Sequence, residues 1–374
     1  MASRPRAGIP DAAPTRDSVR LTAADQAASE FHREAARRHL ESLAKPPGSL
    51  GRLEDLASRL CTIQGTLSPR TKPRRVVVFV ADHGVVAEGV TAWPSSVTGV
   101  MIDSILRGGA ASAALAAACD TELVLVDVGS CSEPLPPRLH YEVRKVGFGT
   151  KNLARGPAMS LSEFEQALAV GVEQARRARE DGMNVVAAGE MGIGNTTPAA
   201  CLAVLLAGVS LDRAVGRGAG ADDATLERKR RVVGQSTVRA CGKMAEDPRA
   251  AIAEVAGFEI VAMAGFFLEA RRLGLTIVLD GMIATAAALI AETLRPGTAD
   301  AMIAAHLSDE PAHAPMLARL GLEPLFCDWR LRLGEGTGAL LAIPLLDAAA
   351  AMVSRMDSLD ALGIVPTEAT HDTP

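Results

Sequence analysis

Aromatic residues are scarce in this chain: 2 Trp, 1 Tyr and 8 Phe among 374 residues, or 3%. Base-stacking platforms for single-stranded nucleic acid need exposed aromatics, and this composition argues against one. Dense Lys/Arg runs are also missing and the net charge is −5, so the electrostatic footprint of a DNA- or RNA-binding protein is absent. None of the six cysteines (Cys61, Cys119, Cys131, Cys201, Cys241 and Cys327) belongs to a C-x-x-C pair, and their scatter reads as buried, reduced thiols. The seven histidines show no zinc spacing, so no metal is expected. There is no G-x-S-x-G elbow, and no Walker A loop. Residues 1–18 lack the apolar stretch of a secretory signal and read as a disordered lead. Residues 191–211 are uncharged and long enough to span a membrane, but Gly, Asn, Thr and Pro fill their first third; what remains suits a buried helix. The chain reads as soluble and cytoplasmic, with no membrane partner.

What the chain does have is a core: 48% of its residues are hydrophobic, mostly Ala, Val, Leu and Ile. Two helical patterns occupy residues 22–64, parted by the turn Pro46-Pro47-Gly48, with Ser49 placed to N-cap a helix from Leu50. Apolar strand-like runs follow at 75–80, 122–128, 184–188, 275–279 and 301–305, with a weaker one at 323–326. Fully apolar strands suit a sheet covered on both faces. The helical stretches between them, 97–118 and 160–180 among them, indicate βαβ units. The expected fold is α/β: a parallel, doubly wound sheet with helices on both faces, plus a small helical domain from the N- and C-terminal segments. The boundaries read as a disordered lead over 1–20, a small helical domain over 21–70, a large α/β catalytic domain over 71–336, a C-terminal helix over 337–357 packing with the small domain, and a disordered tail over 358–374.

Polar and glycine residues gather where each strand ends: Asp82-His83-Gly84, Gly189-Glu190-Met191-Gly192, Asp280-Gly281, His306-Leu307-Ser308. Open parallel sheets bind ligands at that edge. In Gly192-Ile193-Gly194-Asn195-Thr196-Thr197-Pro198 the glycines allow close approach to an anion and a following helix would aim its dipole at it; a capped strand-to-helix turn is the alternative. Gly216-Arg217-Gly218-Ala219-Gly220, with Lys229 in the helix beyond, is either a second phosphate contact or a mobile surface loop. Asp82 and His83 read as a proton relay, metal ligands, or a hydrogen-bonded loop. Trp93 suits a ligand pocket or the core. Glu335, in Gly334-Glu335-Gly336, could be a general base or could favour the helix that starts near Thr337. Acid–base chemistry on a phosphorylated small molecule is the enzyme class these leave.

Together the segments resemble the nicotinate-nucleotide:dimethylbenzimidazole phosphoribosyltransferase family of cobalamin lower-ligand synthesis. The resemblance rests on Lys45-Pro46-Pro47-Gly48-Ser49-Leu50-Gly51-Arg52-Leu53-Glu54, Ala81-Asp82-His83-Gly84-Val85, the two glycine-rich stretches, Leu279-Asp280-Gly281, His306-Leu307-Ser308-Asp309-Glu310-Pro311 and residues 332–339. It covers roughly residues 22–356. It implies transfer of the phosphoribosyl group of nicotinate mononucleotide to a benzimidazole-type nitrogen, giving an α-ribazole 5′-phosphate and nicotinate. It also implies Glu335 as base, Glu190 in support at the ribose, and contacts from Gly192, Gly218, Lys229, Ser308 and Gly334 to phosphate and ribose; Gly194 and Asn195 join the substrate-binding set from the reading of the glycine turn itself. Met191 and Leu333 would sandwich the aromatic base, with Asp82, Trp93 and Ser95 nearby. No cofactor or metal is implied, and the family acts as a homodimer. Ser95 departs from the pattern, standing where many members carry a glutamine; that touches base preference.

Overall fold

The computed structural model of the protein describes residues 23–218 and 220–364. The expected lead over 1–20, and residues 365–374 of the expected tail, lie outside them.

Six parallel strands form one sheet: β1 (Arg74–Ala81), β2 (Glu122–Gly129), β3 (Tyr141–Val143), β4 (Val185–Met191), β5 (Thr276–Leu279) and β6 (Met302–Ala304). Their spatial order is β3-β2-β1-β4-β5-β6. The helices are α1 (Ala23–Ser42), α2 (Arg52–Gln64), α3 (Ser96–Leu106), α4 (Ala111–Ala118), α5 (Leu161–Glu180), α6 (Thr196–Ala207), α7 (Leu211–Ala214), α8 (Asp223–Met244), α9 (Pro248–Ala253), α10 (Phe258–Arg272), α11 (Met282–Leu294), α12 (His313–Arg319) and α13 (Thr337–Arg355).

Every residue of β1 is buried, and its side chains alternate between two cores. Val77, Phe79 and Ala81 join α5, α6, α10 and α11 on one face. Val76, Val78 and Val80 join α1, α2 and α13 on the other. A period of two with both faces apolar is what a doubly covered sheet requires, so the fold class is the expected one. α13 is long and apolar enough to cross a membrane by length and composition alone, yet Ala339, Leu340, Ile343 and Leu346 are buried in the folded chain.

From β1 the chain steps outward to β2 and β3, then returns to lay β4 on the other side of β1. The connections after β1 and β4 therefore leave in opposite directions and open a crevice at the carboxyl edge.

Several local expectations change. The stretch 97–118 is two helices, because the chain breaks at Arg107–Ala110 and Gly108 adopts φ 82°. Gly51, not Ser49, precedes α2; Glu54 in the first turn accepts the Leu50 N–H at 3.0 Å and pairs with Lys45 at 2.8 Å. The weak run at 323–326 is no strand and only Phe326 bridges to His306, whereas the short edge strand β3 carried too few residues to signal itself. Residues 358–364 form turns: Leu359 N–H donates to Ser42 O at 2.9 Å, and Ser358 bridges Leu43. The cysteines divide, Cys61 and Cys201 being buried while Cys131, Cys241 and Cys327 are exposed; all six are free thiols.

Candidate active site

The crevice at the β1/β4 switch holds a cavity of about 480 Å³. Its lining comes from the ends of β4 and β5, the turn into α6, the 216–218 loop, the 306–310 segment, α3, and the 332–335 strap.

The strap reaches the sheet by a close approach. Gly334, Glu335 and Gly336 all have positive φ, with Glu335 at 59°; this strains a non-glycine residue. Contacts from three directions hold it there. The Glu335 N–H donates to Glu190 O at 3.2 Å. Asp280, at the end of β5, accepts Gly336 N–H at 3.2 Å and Ala339 N–H at 3.1 Å. At Gly189 a Cβ would lie 2.3 Å from the Glu335 carbonyl carbon, so only glycine admits the strap. Asp280 thus caps α13, and the Glu335 carboxylate is left out of that role. It instead accepts, on Oε2, the Ser112 hydroxyl at 2.8 Å and the Ser112 N–H at 3.3 Å. Of the two readings of Glu335 open in the sequence, the helix-cap reading loses its place.

Glu190 lies in a different environment. It is 5% exposed and accepts a hydrogen bond from Asn195 Nδ2. Burial pushes its carboxyl well above the usual carboxylate range, and the nearby Glu259, Asp280 and Glu335 add to that push. A Cβ at Gly334 would meet Glu190 Oε1 at 2.2 Å, which shows how closely the strap covers this carboxyl.

Another part of the lining carries the glycine turns. The turn Gly192–Asn195 leads into α6, whose first N–H groups are unspent by side-chain caps. Lys229 is 1% exposed and does not line the cavity; its ammonium donates to Thr196 Oγ1 at 2.8 Å and Gly216 O at 3.1 Å. It pins the two glycine-bearing loops together from behind, and burial lowers it to about 8 despite the opposing pull of Glu310. Glu310 accepts Gly218 N–H at 2.9 Å, and Arg332 reaches Gly218 O at 3.4 Å. Ser308 is oriented by a chain of bonds. Its N–H donates to His313 Nδ1 at 2.9 Å, so the proton of this ring sits on Nε2, 2.9 Å from Thr285 Oγ1. His313 stays neutral, since burial and His306 drop it to about 3.

The apolar lining comes from Met191, Leu333, Trp93, Val97 and Met101. Trp93 and Leu333 are 50% and 60% exposed and stand at the mouth. Asp82 and Ser95 do not line the cavity. Asp82 is buried and accepts Thr98 Oγ1–H at 2.7 Å and Cys131 N–H at 2.8 Å, while Thr98 Oγ1 accepts Ile193 N–H at 3.2 Å. That is the hydrogen-bonded-loop reading: Asp82 ties β1 to α3 and to the glycine turn. Ser95 sits at the N-cap of α3, short of the wall that Val97 and Met101 form. His83, beneath Gly192, lies 3.0 Å from Glu259; burial opposes its charge, but the Glu259 carboxylate prevails and holds it above its ordinary value.

Sequence reading thus found both glutamates and most of the glycine turns, and it missed Ser112, Thr98, Val97, Met101, Glu310 and Arg332 as individual residues. Glu310 and Arg332 lay in segments already singled out; Ser112 lies in an alanine run with no signal at all.

Residues 26–364 match the family model DBI_PRT, described as a phosphoribosyltransferase. The chain is 49% identical over 315 residues to the nicotinate-nucleotide–dimethylbenzimidazole phosphoribosyltransferase of Thermus thermophilus, across 84% of this chain and 93% of that protein. It is 45% identical over 333 residues to the enzyme of that name from Chromobacterium violaceum, across 89% of this chain and 95% of that protein. The crystal structure of CobT from Thermus thermophilus superposes with a TM-score of 0.85 at 46% identity, covering 90% of this chain and 100% of that one.

Proposed function

Because this chain belongs to the nicotinate-nucleotide–dimethylbenzimidazole phosphoribosyltransferase family, we propose that it moves the 5-phosphoribosyl group of nicotinate mononucleotide onto 5,6-dimethylbenzimidazole or a related base, with Glu335 as general base. The products are an α-ribazole 5′-phosphate and nicotinate. The observation that supports the base assignment is the strap: Glu335 lines the cavity, and Asp280 rather than Glu335 caps α13.

A neutral benzimidazole carries a proton on one ring nitrogen and a lone pair on the other. As the lone pair bonds to C1′ of the ribose, the N–H becomes acidic. Glu335 takes that proton and keeps a cationic azolium from accumulating. The leaving pyridine nitrogen is already cationic in the substrate, so it departs with the bonding pair, neutral at the ring, and needs no acid. General-base assistance of this kind contributes about 10²–10⁴ in rate. Glu190 supports the ribose side. By itself its raised carboxyl favours the protonated form; a cationic substrate beside it favours ionisation, and the resulting charge stabilises the oxocarbenium-like C1′ of the transition state. The α6 N-terminus, Gly218 and Ser308 receive the 5′-phosphate, with Lys229 supplying charge from behind. The aromatic base lies among Met191, Leu333, Val97 and Met101. A homodimer in the cytoplasm is part of the same proposal.

The test is to incubate the protein with nicotinate mononucleotide and dimethylbenzimidazole and to follow α-ribazole phosphate and free nicotinate. Both should appear in equal amounts. Failure to form product with dimethylbenzimidazole, adenine or a phenol removes the proposal.

A further inference from the structure

Ser112 lies in the first turn of α4, within Ala110-Ala111-Ser112-Ala113-Ala114, and is fully buried. Its hydroxyl and its backbone N–H both point at one oxygen of Glu335, 223 residues away in the chain, at 2.8 and 3.3 Å. The far end of α4 is also tied to the helix that follows the strap, since Cys119 Sγ lies 3.4 Å from Leu340 O in α13. α4 is thus attached alongside the start of α13 at two points. Directly before it comes α3, which supplies Val97 and Met101 to the cavity wall.

We propose that Ser112 is a positioning residue for the base, holding Oε2 of Glu335 so that Oε1 is presented to the N–H of the bound nucleophile; this rests on the base role given to Glu335 above. The backbone of Glu335 is held by its N–H bond to Glu190 O and its close approach to Gly189, which leaves the side-chain torsions as its remaining freedom. Two donors converging on one carboxylate oxygen restrict them, and hydrogen bonds to a charged acceptor are the stronger kind. Proton transfer depends steeply on such geometry. The helix just before α4 carries the aromatic wall, so base and nucleophile are set by one continuous piece of chain.

A double-mutant cycle tests this: Ser112→Ala, Glu335→Gln and the pair, each measured for kcat, for KM of both substrates and for thermal midpoint. Ser112→Ala is expected to lower kcat about tenfold and leave KM for nicotinate mononucleotide within about twofold. In the Glu335→Gln background the same substitution should change kcat no further, because its effect passes through the missing carboxylate. Equal slowing of both backgrounds, an unchanged kcat, or an effect on KM alone overturns the proposal. Near-normal turnover by Glu335→Gln alone overturns the base role itself, an outcome independent of Ser112. Should Ser112→Ala fail to fold, Ser112→Cys, which roughly keeps the volume and weakens the donor, is expected to fall between the wild type and the tenfold loss; wild-type turnover in that variant overturns the proposal.

Discussion

The two glycine-flanked glutamates differ in almost everything except their neighbourhood. Both line one cavity, and the N–H of one donates to the carbonyl of the other. Glu335 receives two donors from Ser112; Glu190 receives one amide and lies among three other carboxyl groups that, with its burial, push it upward. The first environment clamps one carboxyl oxygen between two donors. The second crowds its carboxyl among others of the same kind. Two residues with the same side chain and a flanking glycine come to differ because different distant elements reach them.

The largest expected effect comes from forcing the two turns apart. In Gly189→Ala the new Cβ meets backbone, 2.3 Å from Glu335 C and 2.4 Å from Gly336 N, and cannot be accommodated by a side-chain rotation. Displacing Glu335 by about 1 Å costs on the order of 100-fold or more in turnover, together with a lower thermal midpoint; steady-state kinetics and melting check both. An unchanged rate would mean that the strap need not touch β4.

Glu190→Gln separates the roles by their opposite signs. Turnover should fall by roughly 10- to 100-fold, yet the protein should become more stable at neutral pH. The raised carboxyl of Glu190 gives stability that is fully present below the ordinary carboxylate value and lost as pH rises through its higher folded-state value. A neutral amide cannot lose it. Thermal midpoints recorded across that range should decline less steeply in the variant, and a steeper decline would contradict the picture.

The smallest effect concerns the phosphate. With Lys229 lowered to about 8 by burial, kcat/KM for nicotinate mononucleotide should fall about tenfold per pH unit once pH exceeds that value. Lys229→Met should start low and lack this limb. A profile flat to high pH in the wild type would take the ammonium out of substrate capture.

The apolar runs and the polar residues at their carboxyl ends made the sheet and its working edge legible, because a strand buried on both faces can be written in few ways. Glycine turns were legible for a similar reason: close approaches such as that at Gly189 admit one residue type. Pairings across the chain were not. Nothing local to Ser112 distinguishes it from a helical serine, and nothing near Asp280 announces a cap for a helix more than fifty residues later. The break at Arg107–Ala110 was written in Gly108-Gly109, but the apolar pattern on either side outweighed it. Lys229 was read as a phosphate contact from its place after the glycine loop, while its burial behind Thr196 depends on how α8 packs on α6, which is tertiary. Ser95 was placed by the resemblance, where many members carry a glutamine; a step of two residues into a helix decides whether a side chain joins the wall or turns away from it.

The hydrogen bond from Glu335 to Glu190 also has a meaning in time. The chain is synthesised from its amino end onward. The loops that would receive the phosphate, 192–195 and 216–218, are made well before the strap and the helix that anchors it. The residue that closes the site is therefore among the last to be made, and it is held on β4 only once residues 334–339 meet Asp280.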